Sequence, residues 1–506
     1  MHLTRLEKLT AERVVARIWE RDHTVWKDDP SEIADRLGWL DVAGEMRGRL
    51  DDLRRFAEEA AGDGITTAVL LGMGGSSLAP ELFARMPGAA SDGLSLRVLD
   101  TTHPAAIAAA NASLDLDRTL FIVASKSGTT VETLSQYAHF RELAGRGDRF
   151  VAITDPGTPL EKLARDDGFR EVFLNPEDIG GRYSAVSLFG LVPAALVGVD
   201  LGALLDGADA MAAACRTGDP AGENPGAWLG AVIAEGAIAG RDKLTLVLPG
   251  PVASLGDWVE QLVAESTGKE GAGIVPVVGE SLGPSEVYRD DRLFVGVGDQ
   301  PRVEALGEAG HSVIGLPGGG DAAWLGGELF RWEFATAVAG HVLGINPFDQ
   351  PNVAEAKEAT ARILDDAAHE PHLFVPEQLL QMLAPDPAHP GYLAIQAFLE
   401  PTPDTTARLQ LARHALRDRH RVATTLGFGP RYLHSTGQLH KGGPPTGLFV
   451  QVVDAERDAD VPIPGRDFTF GQLIDAQALG DLLSLQARGR PVARISLEML
   501  EEVAAR

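Results

Sequence analysis

The segment SKSGTT at residues 125–130 combines four hydroxyl side chains and one lysine between an apolar stretch and a predicted helix. The apolar stretch is TLFIVA (119–124), and the helix begins near Val131. A helix N-terminus carries unpaired backbone N–H groups and a partial positive charge, so this position suits a phosphate group. Helix capping is the alternative, but four hydroxyls exceed what a cap requires. The segment predicts a phosphate site formed by Ser125, Ser127, Thr129 and Thr130.

A second strand-to-helix turn, GMGGSS at 72–77, places glycines where a backbone can pass close to a ligand. With Asp100 at the end of the next predicted strand, the turn approaches the fingerprint of a dinucleotide site. Ser77 stands where the third glycine of that fingerprint belongs, and Ser76 offers another hydroxyl. A nucleotide site, a contact with another ligand and a tight turn without a ligand therefore all stay open.

Glu265 is a candidate acid–base group, because QLVAESTGKEG (261–271) places it beside Ser, Thr and Gly, where a ligand can approach. Gln261 precedes it by four residues and shares its helix face. Arg182 lies in GGRYS (180–184), a setting that suits contact with an anion or an enolate. The alternatives are a solvated glutamate at a helix end and an arginine in a surface turn.

Lysine is rare in this chain, with eight lysines among 45 basic residues. An ammonium group cannot be exchanged freely for a guanidinium where a proton moves or a point charge must be placed. Four of the eight lie in unusual local contexts, namely Lys126, Lys269, Lys357 and Lys441. This usage favours a chemical role for at least some of them.

Short apolar stretches that alternate with Gly-rich or hydroxyl-rich turns and helices must position these groups. Four such units follow the amphipathic helices predicted in residues 1–60, with strands at 67–71, 94–99, 119–124 and 150–153. A further set is predicted after the apolar segment near 185–200, with strands at 243–248, 293–297 and 311–316. Repeated strand–turn–helix units indicate parallel, doubly wound sheets.

We therefore expect an α/β fold with two doubly wound parallel-sheet subdomains, at 61–210 and 211–345. Residues 346–506 are expected to be helical and then Gly-rich, with one strand at 447–453, and to pack across the other two units. The sequence does not show whether this C-terminal region is a separate domain.

The composition excludes several classes of protein. The 506 residues carry a formal net charge of -27, which repels nucleic-acid backbones and anionic lipid surfaces. The single cysteine, Cys215, cannot form an internal disulfide, and the N-terminal sequence has no apolar export signal. The longest uncharged stretch near the middle of the chain, 185–199, is too short to span a bilayer. We expect a cytoplasmic protein that binds neither nucleic acid nor membrane.

The chain resembles the phosphoglucose isomerase family, of the sugar isomerase (SIS) fold, in five segments that follow the family's order: GMGGSSLAP, SKSGTTVET, NPEDIGGRYSAVSLFGL, QLVAESTGK and INPFDQPNVAEAK. The resemblance extends to the isomerase half of chains that some relatives fuse to a transaldolase. It implies two SIS lobes with an active site between them, usually in a homodimer. It also implies reversible isomerisation of glucose 6-phosphate and fructose 6-phosphate in glycolysis and gluconeogenesis, without a metal or an organic cofactor.

The resemblance implies a role for each matching residue. Glu265 resembles the family's base, Arg182 its enediolate stabiliser, and Lys357 the residue that helps to open the sugar ring. The phosphate cradle and the other substrate contacts would be Gly75, Ser76, Ser125, Lys126, Ser127, Thr130, Thr133, Gln261 and Gln350. The chemistry suits these residue types, since a glutamate can move one proton between C2 and C1 while a cation stabilises the charged oxygen.

The resemblance also implies a ring-opening histidine from a neighbouring subunit, a few tens of residues after the base. No histidine lies between Glu265 and His311. His434 and His440 of HSTGQLHKGG can substitute, and His440 is the one we predict.

Three other functions remain open at this level. A non-catalytic SIS module that senses a phosphosugar would keep the phosphate cradle but would not need Glu265, Arg182 or Lys357. A nicotinamide-dependent dehydrogenase would explain GMGGSS but would leave SKSGTT and ESTGK without a role. An isomerase of another hexose phosphate differs only in the shape of the pocket near the sugar C2.

Overall fold

The computed structural model of the chain describes residues 2–86, 93–218, 224–352, 360–364, 376–383, 391–454, 457 and 460–506. Within these residues, thirteen strands form three parallel sheets that helices cover. The helices before the third sheet are α1 (His2–Ala11), α2 (Val14–Trp19), α3 (Val42–Arg47), α4 (Leu50–Gly62), α5 (Leu78–Ala84), α6 (Pro104–Ser113), α7 (Val131–Ala144), α8 (Pro159–Asp166), α9 (Leu188–Leu196), α10 (Leu201–Ala214), α11 (Pro225–Ile238), α12 (Leu255–Thr267), α13 (Pro301–Glu308), α14 (Ala322–Leu343) and α15 (Pro376–Met382).

The first sheet has five parallel strands in the order β2-β1-β3-β4-β5. They are β1 (Thr67–Gly72), β2 (Ser95–Leu99), β3 (Thr119–Ala124), β4 (Phe150–Thr154) and β5 (Glu171–Leu174). All six residues of β3 are buried, as expected for a central parallel strand that is covered on both faces.

The strand order indicates where this sheet can bind a ligand. From β1 the chain continues to β2 on one side, whereas β3 lies on the other side, so the winding direction reverses between β1 and β3. Ligands of open α/β sheets bind in the crevice outside the carboxyl ends of the strands at such a point. Gly72 pairs with Ala124, so the turns that follow β1 and β3 begin side by side at this crevice.

The second sheet has four parallel strands in the order β7-β6-β8-β9. They are β6 (Lys243–Val247), β7 (Val275–Val277), β8 (Arg292–Val297) and β9 (Ser312–Leu316). The helix α14 follows this sheet and packs against α10 and α11, and every residue from 325 to 340 is buried. A helix that is buried on all sides has no solvent-exposed polar face, which explains why the sequence of α14 is mostly apolar.

The third sheet lies in the C-terminal region, with four parallel strands in the order β11-β10-β12-β13. These strands are β10 (Tyr392–Phe398), β11 (Ala423–Phe428), β12 (Gly447–Val453) and β13 (Val492–Ile495). The helices of this region are α16 (Pro403–His420), α17 (Gly437–Gly442), α18 (Phe470–Ala487) and α19 (Leu497–Ala505). We call residues 391–506 the C-terminal lobe.

The structure confirms the predicted α/β class, the helical N-terminus and the two doubly wound parallel sheets. The C-terminal lobe differs from the prediction, since it holds a complete sheet where one strand, at 447–453, was expected. All seven residues of β10 are buried, and a short apolar run of this kind cannot be told from a buried helix by its periodicity. The predicted boundaries at 60, 210 and 345 stay predictions. None of the helices in the described ranges is long and apolar enough to cross a membrane.

Candidate active site

A cavity of about 460 Å³ opens at the carboxyl ends of β1 and β3, the crevice that the strand order indicates. The turns after β1 and β3, the turn Gly181–Tyr183, the helix α12 and a loop of the C-terminal lobe contribute to its walls. The structure brings together at this cavity ten of the predicted site residues: Gly75, Ser76, Ser125, Lys126, Ser127, Thr130, Arg182, Gln261, Glu265 and Gln350.

The hydroxyl-rich turn connects β3 to α7 and presents its side chains to the cavity. Thr130 is the N-cap residue of α7, but its side chain does not accept the capping hydrogen bond. Its hydroxyl instead pairs with the hydroxyl of Ser125 at 2.9 Å, and the hydroxyl of Ser127 pairs with that of Thr129 at 2.9 Å. Because the Thr130 hydroxyl does not cap the helix, the helix N-terminus stays open to an anion.

Lys126 lies at the same turn and is partly neutralised. Its Nζ forms an ion pair with Asp155 and donates a hydrogen bond to the carbonyl of Glu177 at 3.0 Å. Burial raises the pKa of the Asp155 carboxyl to about 6, although the ammonium of Lys126 opposes the shift. The charge of the Asp155 carboxyl, beside the phosphate turn, therefore changes close to neutral pH.

The glycine at position 75 is required by the approach of two turns. A Cβ at Gly75 would lie 2.1 Å from the carbonyl oxygen of Gly181. Real Cβ atoms do not approach a backbone oxygen so closely, so only glycine lets the turn after β1 contact the turn that carries Arg182. The space that Gly75 leaves is thus filled by protein backbone rather than by a nucleotide pyrophosphate.

The helix α12 carries Gln261 and Glu265 on one face, and both are buried at the cavity. The amide Nε2 of Gln261 donates to Glu265 Oε2 at 3.1 Å and to the backbone oxygen of His434 at 2.8 Å. One carboxylate oxygen of Glu265 is therefore held by a neutral donor, and the glutamine is itself held by the C-terminal lobe.

Arg182 is buried, and all three nitrogens of its guanidinium donate hydrogen bonds. Its Nε donates to Ser266 Oγ at 2.7 Å, and its Nη1 donates to Gln350 Oε1 at 3.0 Å. Its Nη2 donates to the backbone oxygens of Pro347 at 2.7 Å and Asp349 at 2.9 Å. These contacts fix the guanidinium, with Nη1 at 3.5 Å from Glu265 Oε1.

A buried lysine, Lys269, contacts the same segment that holds Arg182. The Nζ of Lys269 lies 2.5 Å from Asp349 Oδ1 and also donates to the Asp349 backbone oxygen that Arg182 contacts. Burial lowers the pKa of Lys269 to about 7, and the nearby positive charge of Arg182 contributes to the shift. Lys269 holds the segment that orients the arginine.

Three of the predicted site residues do not line the cavity, namely Thr129, Thr133 and His440, and Lys357 lies outside the described residues. Thr133 is buried on α7, away from the cavity wall. His440 is buried on α17, where Gln396 Nε2 lies 3.1 Å from its Nδ1 and the rings of Tyr432 and Phe449 surround it. Burial lowers the pKa of His440 to about 3, so it is neutral and shielded from any ligand in the cavity.

His434, which the sequence offered as the second histidine, does line the cavity. It ends a short helical turn, Arg431–His434, that follows β11. Its Nε2 lies 2.9 Å from Glu132 Oε1 at the start of α7. The sequence signal for this pair was Glu132 in SKSGTTVET, directly after the phosphate turn, but nothing local indicated its partner.

The sequence interpretation also missed three polar residues of the wall, Asp155, Thr158 and Glu177. Asp155 and Thr158 follow β4, whose carboxyl end lies beside that of β3 because the two strands pair in parallel. The segment TDPGTP was visible as a strand-to-helix turn, and the sheet order was needed to place it at the cavity.

Comparisons with known proteins show what the chain is similar to. A family model described as Phosphoglucose isomerase matches residues 9–271. The curated glucose-6-phosphate isomerase of Synechococcus sp. (strain CC9605) is 29% identical over an alignment of 352 residues, and the match covers 60% of this chain and 66% of the relative. The curated probable glucose-6-phosphate isomerase of Methanococcus maripaludis is 26% identical over an alignment of 381 residues, and the match covers 65% of this chain and 84% of the relative.

Two solved structures share the fold. A hypothetical protein from Thermus thermophilus has a TM-score of 0.61 at 27% identity, over 72% of this chain and 96% of that one. A glucose-6-phosphate isomerase from Chlamydia trachomatis has a TM-score of 0.63 at 20% identity, over 75% of this chain and 88% of that one. Both alignments leave at least a quarter of the present chain unmatched.

Proposed function

The chain belongs to the phosphoglucose isomerase family, and we propose that its cavity interconverts glucose 6-phosphate and fructose 6-phosphate through an enediolate. The protein is thus an aldose–ketose isomerase that acts in glycolysis and gluconeogenesis. The observation that carries the proposal is the buried Glu265 carboxylate beside the fixed Arg182 guanidinium, in one cavity with the turn 125–130.

The phosphate group provides the anchor. The open N-terminus of α7 and the hydroxyls of Ser125, Ser127 and Thr130 bind the phosphate, and Lys126 supplies a positive charge. The substrate contacts at Gly75, Ser76 and Gln350 remain part of the proposal, whereas Thr133, which is buried away from the cavity wall, does not. Binding energy from this non-reacting group positions C1 and C2 of the open-chain sugar against Glu265.

Glu265 moves the proton. It abstracts the proton from C2 of the aldose, and the electron pair forms a C1–C2 double bond and places the negative charge on O1. The proton of the C2 hydroxyl then passes to O1, the C2 carbonyl forms, and the protonated carboxyl returns its proton to C1. Burial of Glu265 shields this proton from exchange with water. The preorganised cation of Arg182 stabilises the negative oxygen of the enediolate.

A phosphosugar sensor would need the cradle but would gain nothing from a buried carboxylate held between Gln261 and Arg182. A dinucleotide enzyme would need the space at Gly75 that the carbonyl of Gly181 occupies. Neither alternative explains the base and the cation together.

The oligomeric state, the cellular location and the role of Lys357 are proposals as well. A homodimer follows from the family resemblance, and the single buried Cys215 suits a reducing cytoplasm, where sugar phosphates are found. The ring-opening role of Lys357 also stays a proposal. No nucleic acid, metal or organic cofactor enters the proposed reaction.

The test is a coupled assay with fructose 6-phosphate, glucose-6-phosphate dehydrogenase and NADP. The wild-type protein should convert fructose 6-phosphate to glucose 6-phosphate. The kcat of Glu265→Gln should be about 10³-fold lower, and calorimetry should show that this variant still binds fructose 6-phosphate. Glu270→Gln is the matched control, because Glu270 lies five residues on and makes an exposed ion pair with Lys27. A folded wild type that binds fructose 6-phosphate without turnover would mean a sensor.

A further inference from the structure

The proposed reaction moves negative charge from the Glu265 carboxylate to an oxygen of the sugar, and Arg182 must be available to that oxygen. A second carboxylate, that of Asp349, lies close to the same guanidinium. We propose that Lys269, in its ammonium form, neutralises Asp349 and so keeps the charge of Arg182 available for the enediolate. The inference rests on the proposed function. Because Lys269 does not line the cavity, it is a positioning residue that acts through Arg182.

Asp349 is placed to compete for the charge of Arg182. Nη2 of Arg182 donates to the Asp349 backbone oxygen at 2.9 Å, so the guanidinium lies within one residue's own length of the Asp349 carboxylate. Only a quarter of the Asp349 side chain is exposed, and a charge in such a place is screened less than in water. Without a partner, this carboxylate would attract the guanidinium and would repel the enediolate.

Lys269 supplies the opposite charge at contact distance. Its Nζ lies 2.5 Å from Asp349 Oδ1 and also donates to the Asp349 backbone oxygen. Only 2% of the lysine side chain is exposed, so water does not compete for these contacts. A buried pair in contact has no net charge, and Asp349 then has little effect on Arg182.

Two cations and two anions form the cluster around the base. Arg182 Nη1 lies 3.5 Å from Glu265 Oε1, and Lys269 pairs with Asp349, so the formal charges sum to zero. When Glu265 takes the C2 proton, one negative charge passes to the sugar oxygen, and the sum is unchanged. Loss of the Lys269 proton would leave one excess negative charge, which would oppose formation of the enediolate.

The charged residues next to this cluster are paired elsewhere. Glu270, which follows Lys269 in the chain, forms an exposed ion pair with Lys27 at 2.9 Å. Lys441 is the charged residue on α17 apart from the histidine, and it pairs with Asp481 on α18. The charge that balances Asp349 is therefore that of Lys269.

Lys269 is held on the same element as the base. It follows Glu265 by four residues, just past the end of α12. Its backbone N–H donates to the carbonyl of Ala272 at 3.1 Å. A Cβ at Gly268 would lie 2.4 Å from the Cα of Leu439, so α17 packs directly against this turn. These contacts fix the backbone of the lysine relative to the base.

A lysine suits this role better than an arginine, although arginine supplies most of the basic residues of the chain. An ammonium is a compact point charge, whereas a guanidinium would bring a second planar group beside Arg182. The pKa of Lys269, lowered to about 7 by burial and by Arg182, means that the charge of this group is lost as the pH rises above neutral.

The experiment is a double-mutant cycle in the coupled assay with fructose 6-phosphate. It compares the wild type, Lys269→Met, Asp349→Asn and the variant that carries both changes. Lys269→Met should lower kcat about 100-fold and change KM by only a few-fold, because the unpaired carboxylate then acts on Arg182. The double variant should recover at least about tenfold in kcat over Lys269→Met, because the competing charge is gone.

A lysine that merely braces the fold predicts the opposite result. The double variant would then lose as much kcat as Lys269→Met or more, and that result would overturn the inference. Lys243→Met is the matched control, because Lys243 is equally buried and pairs with Asp242 at 2.6 Å, but it begins β6 and does not line the cavity. This variant should lose stability in denaturant unfolding, while its kcat stays within about twofold of the wild type.

The pH dependence gives a second test that does not need a folded Lys269→Met. The kcat of the wild type should fall as the pH rises through the pKa of Lys269, because loss of that proton leaves the excess negative charge. In Asp349→Asn the lysine loses the group that raises its pKa and is neutral, and Arg182 and Glu265 stay balanced. The alkaline fall in kcat should therefore be absent from this variant.

Two results would contradict this pH dependence. A fall in kcat that persists in Asp349→Asn, or a wild-type kcat that does not fall between pH 6 and pH 8, would overturn the inference. A wild-type protein that binds fructose 6-phosphate but does not convert it would instead reject the proposed function itself.

Discussion

The Arg182 guanidinium lies 3.5 Å from the Glu265 carboxylate, yet its shorter hydrogen bonds all go to neutral oxygens. The hydroxyl of Ser266, the side-chain amide of Gln350 and the backbone oxygen of Pro347 hold it in place. Its position therefore does not depend on an ion pair with the base or on a bound substrate. A cation fixed in this way is ready for charge that develops only during the reaction.

Replacement of Arg182 by lysine should lower kcat about 100-fold or more and should change KM by only a few-fold. An ammonium keeps the charge but cannot reproduce the planar set of hydrogen bonds that locates the guanidinium. Steady-state kinetics with fructose 6-phosphate measures both constants. A raised KM with an unchanged kcat would instead assign Arg182 to substrate binding alone.

Inhibition by sulfate should strengthen as the pH falls from about 7.5 to about 5.5. The pKa of Asp155 is raised to about 6 by burial, so its negative charge, which repels an anion in the cradle, is present above that pH and lost below it. Sulfate keeps its own charge over this range and so isolates the effect of the protein. Asp155→Asn should bind sulfate equally well across the range, and a pH dependence that persists in this variant would contradict the prediction.

Gly75→Ala should reduce kcat at least tenfold and destabilise the fold by about 1–3 kcal/mol. The added Cβ would meet the carbonyl oxygen of Gly181 and displace the turn that carries Arg182. Kinetics and chemical denaturation test the two effects. Gly180→Ala is the control, since the nearest atom to a Cβ there lies 3.8 Å away, and it should change neither quantity appreciably.

Glu333→Gln should stabilise the protein more at pH 8 than at pH 5. Glu333 is buried on α14, its Oε1 has no hydrogen-bond partner among the described residues, and burial raises its pKa well above the ordinary value. Below the pKa that the Glu333 carboxyl has in the unfolded chain, the residue makes its full contribution to stability. This contribution is lost as the pH rises from that value towards the pKa of the carboxyl in the folded protein. In that window the wild type should lose about 1.4 kcal/mol per pH unit from this residue.

Denaturant unfolding at both pH values measures the difference between Glu333→Gln and the wild type. The exposed Glu308, at the end of α13, supplies a control in Glu308→Gln, which should stay within about 0.5 kcal/mol of the wild type. An equal effect of Glu333→Gln at pH 5 and pH 8 would refute a buried, protonated carboxyl.

The sequence predicted the first sheet and the chemistry of its turns because the signals there are local. TLFIVA and SKSGTT form a buried strand and an open helix N-terminus from adjacent residues, and the four-residue spacing of Gln261 and Glu265 fixes their common face. Such patterns need no knowledge of the tertiary structure.

The parts that were missed depend on contacts distant in sequence. His434 reaches Glu132 across 302 positions, and the choice between His434 and His440 depends on which of them the third sheet buries. The third sheet was not predicted, because its strands β10 and β13 are entirely buried and show no alternation of polar and apolar residues. Asp155 was missed because only the order of the strands brings its turn beside the cradle.

The separation of 302 positions between Glu132 and His434 also affects when activity can appear during synthesis. The phosphate turn at 125–130 leaves the ribosome first, whereas the turn Arg431–His434 follows about 300 residues later. At about 5–20 residues per second, roughly 15–60 seconds pass between the two events. During that interval the nascent chain already contains the phosphate turn, but its cavity lacks the wall that His434 and the C-terminal lobe supply.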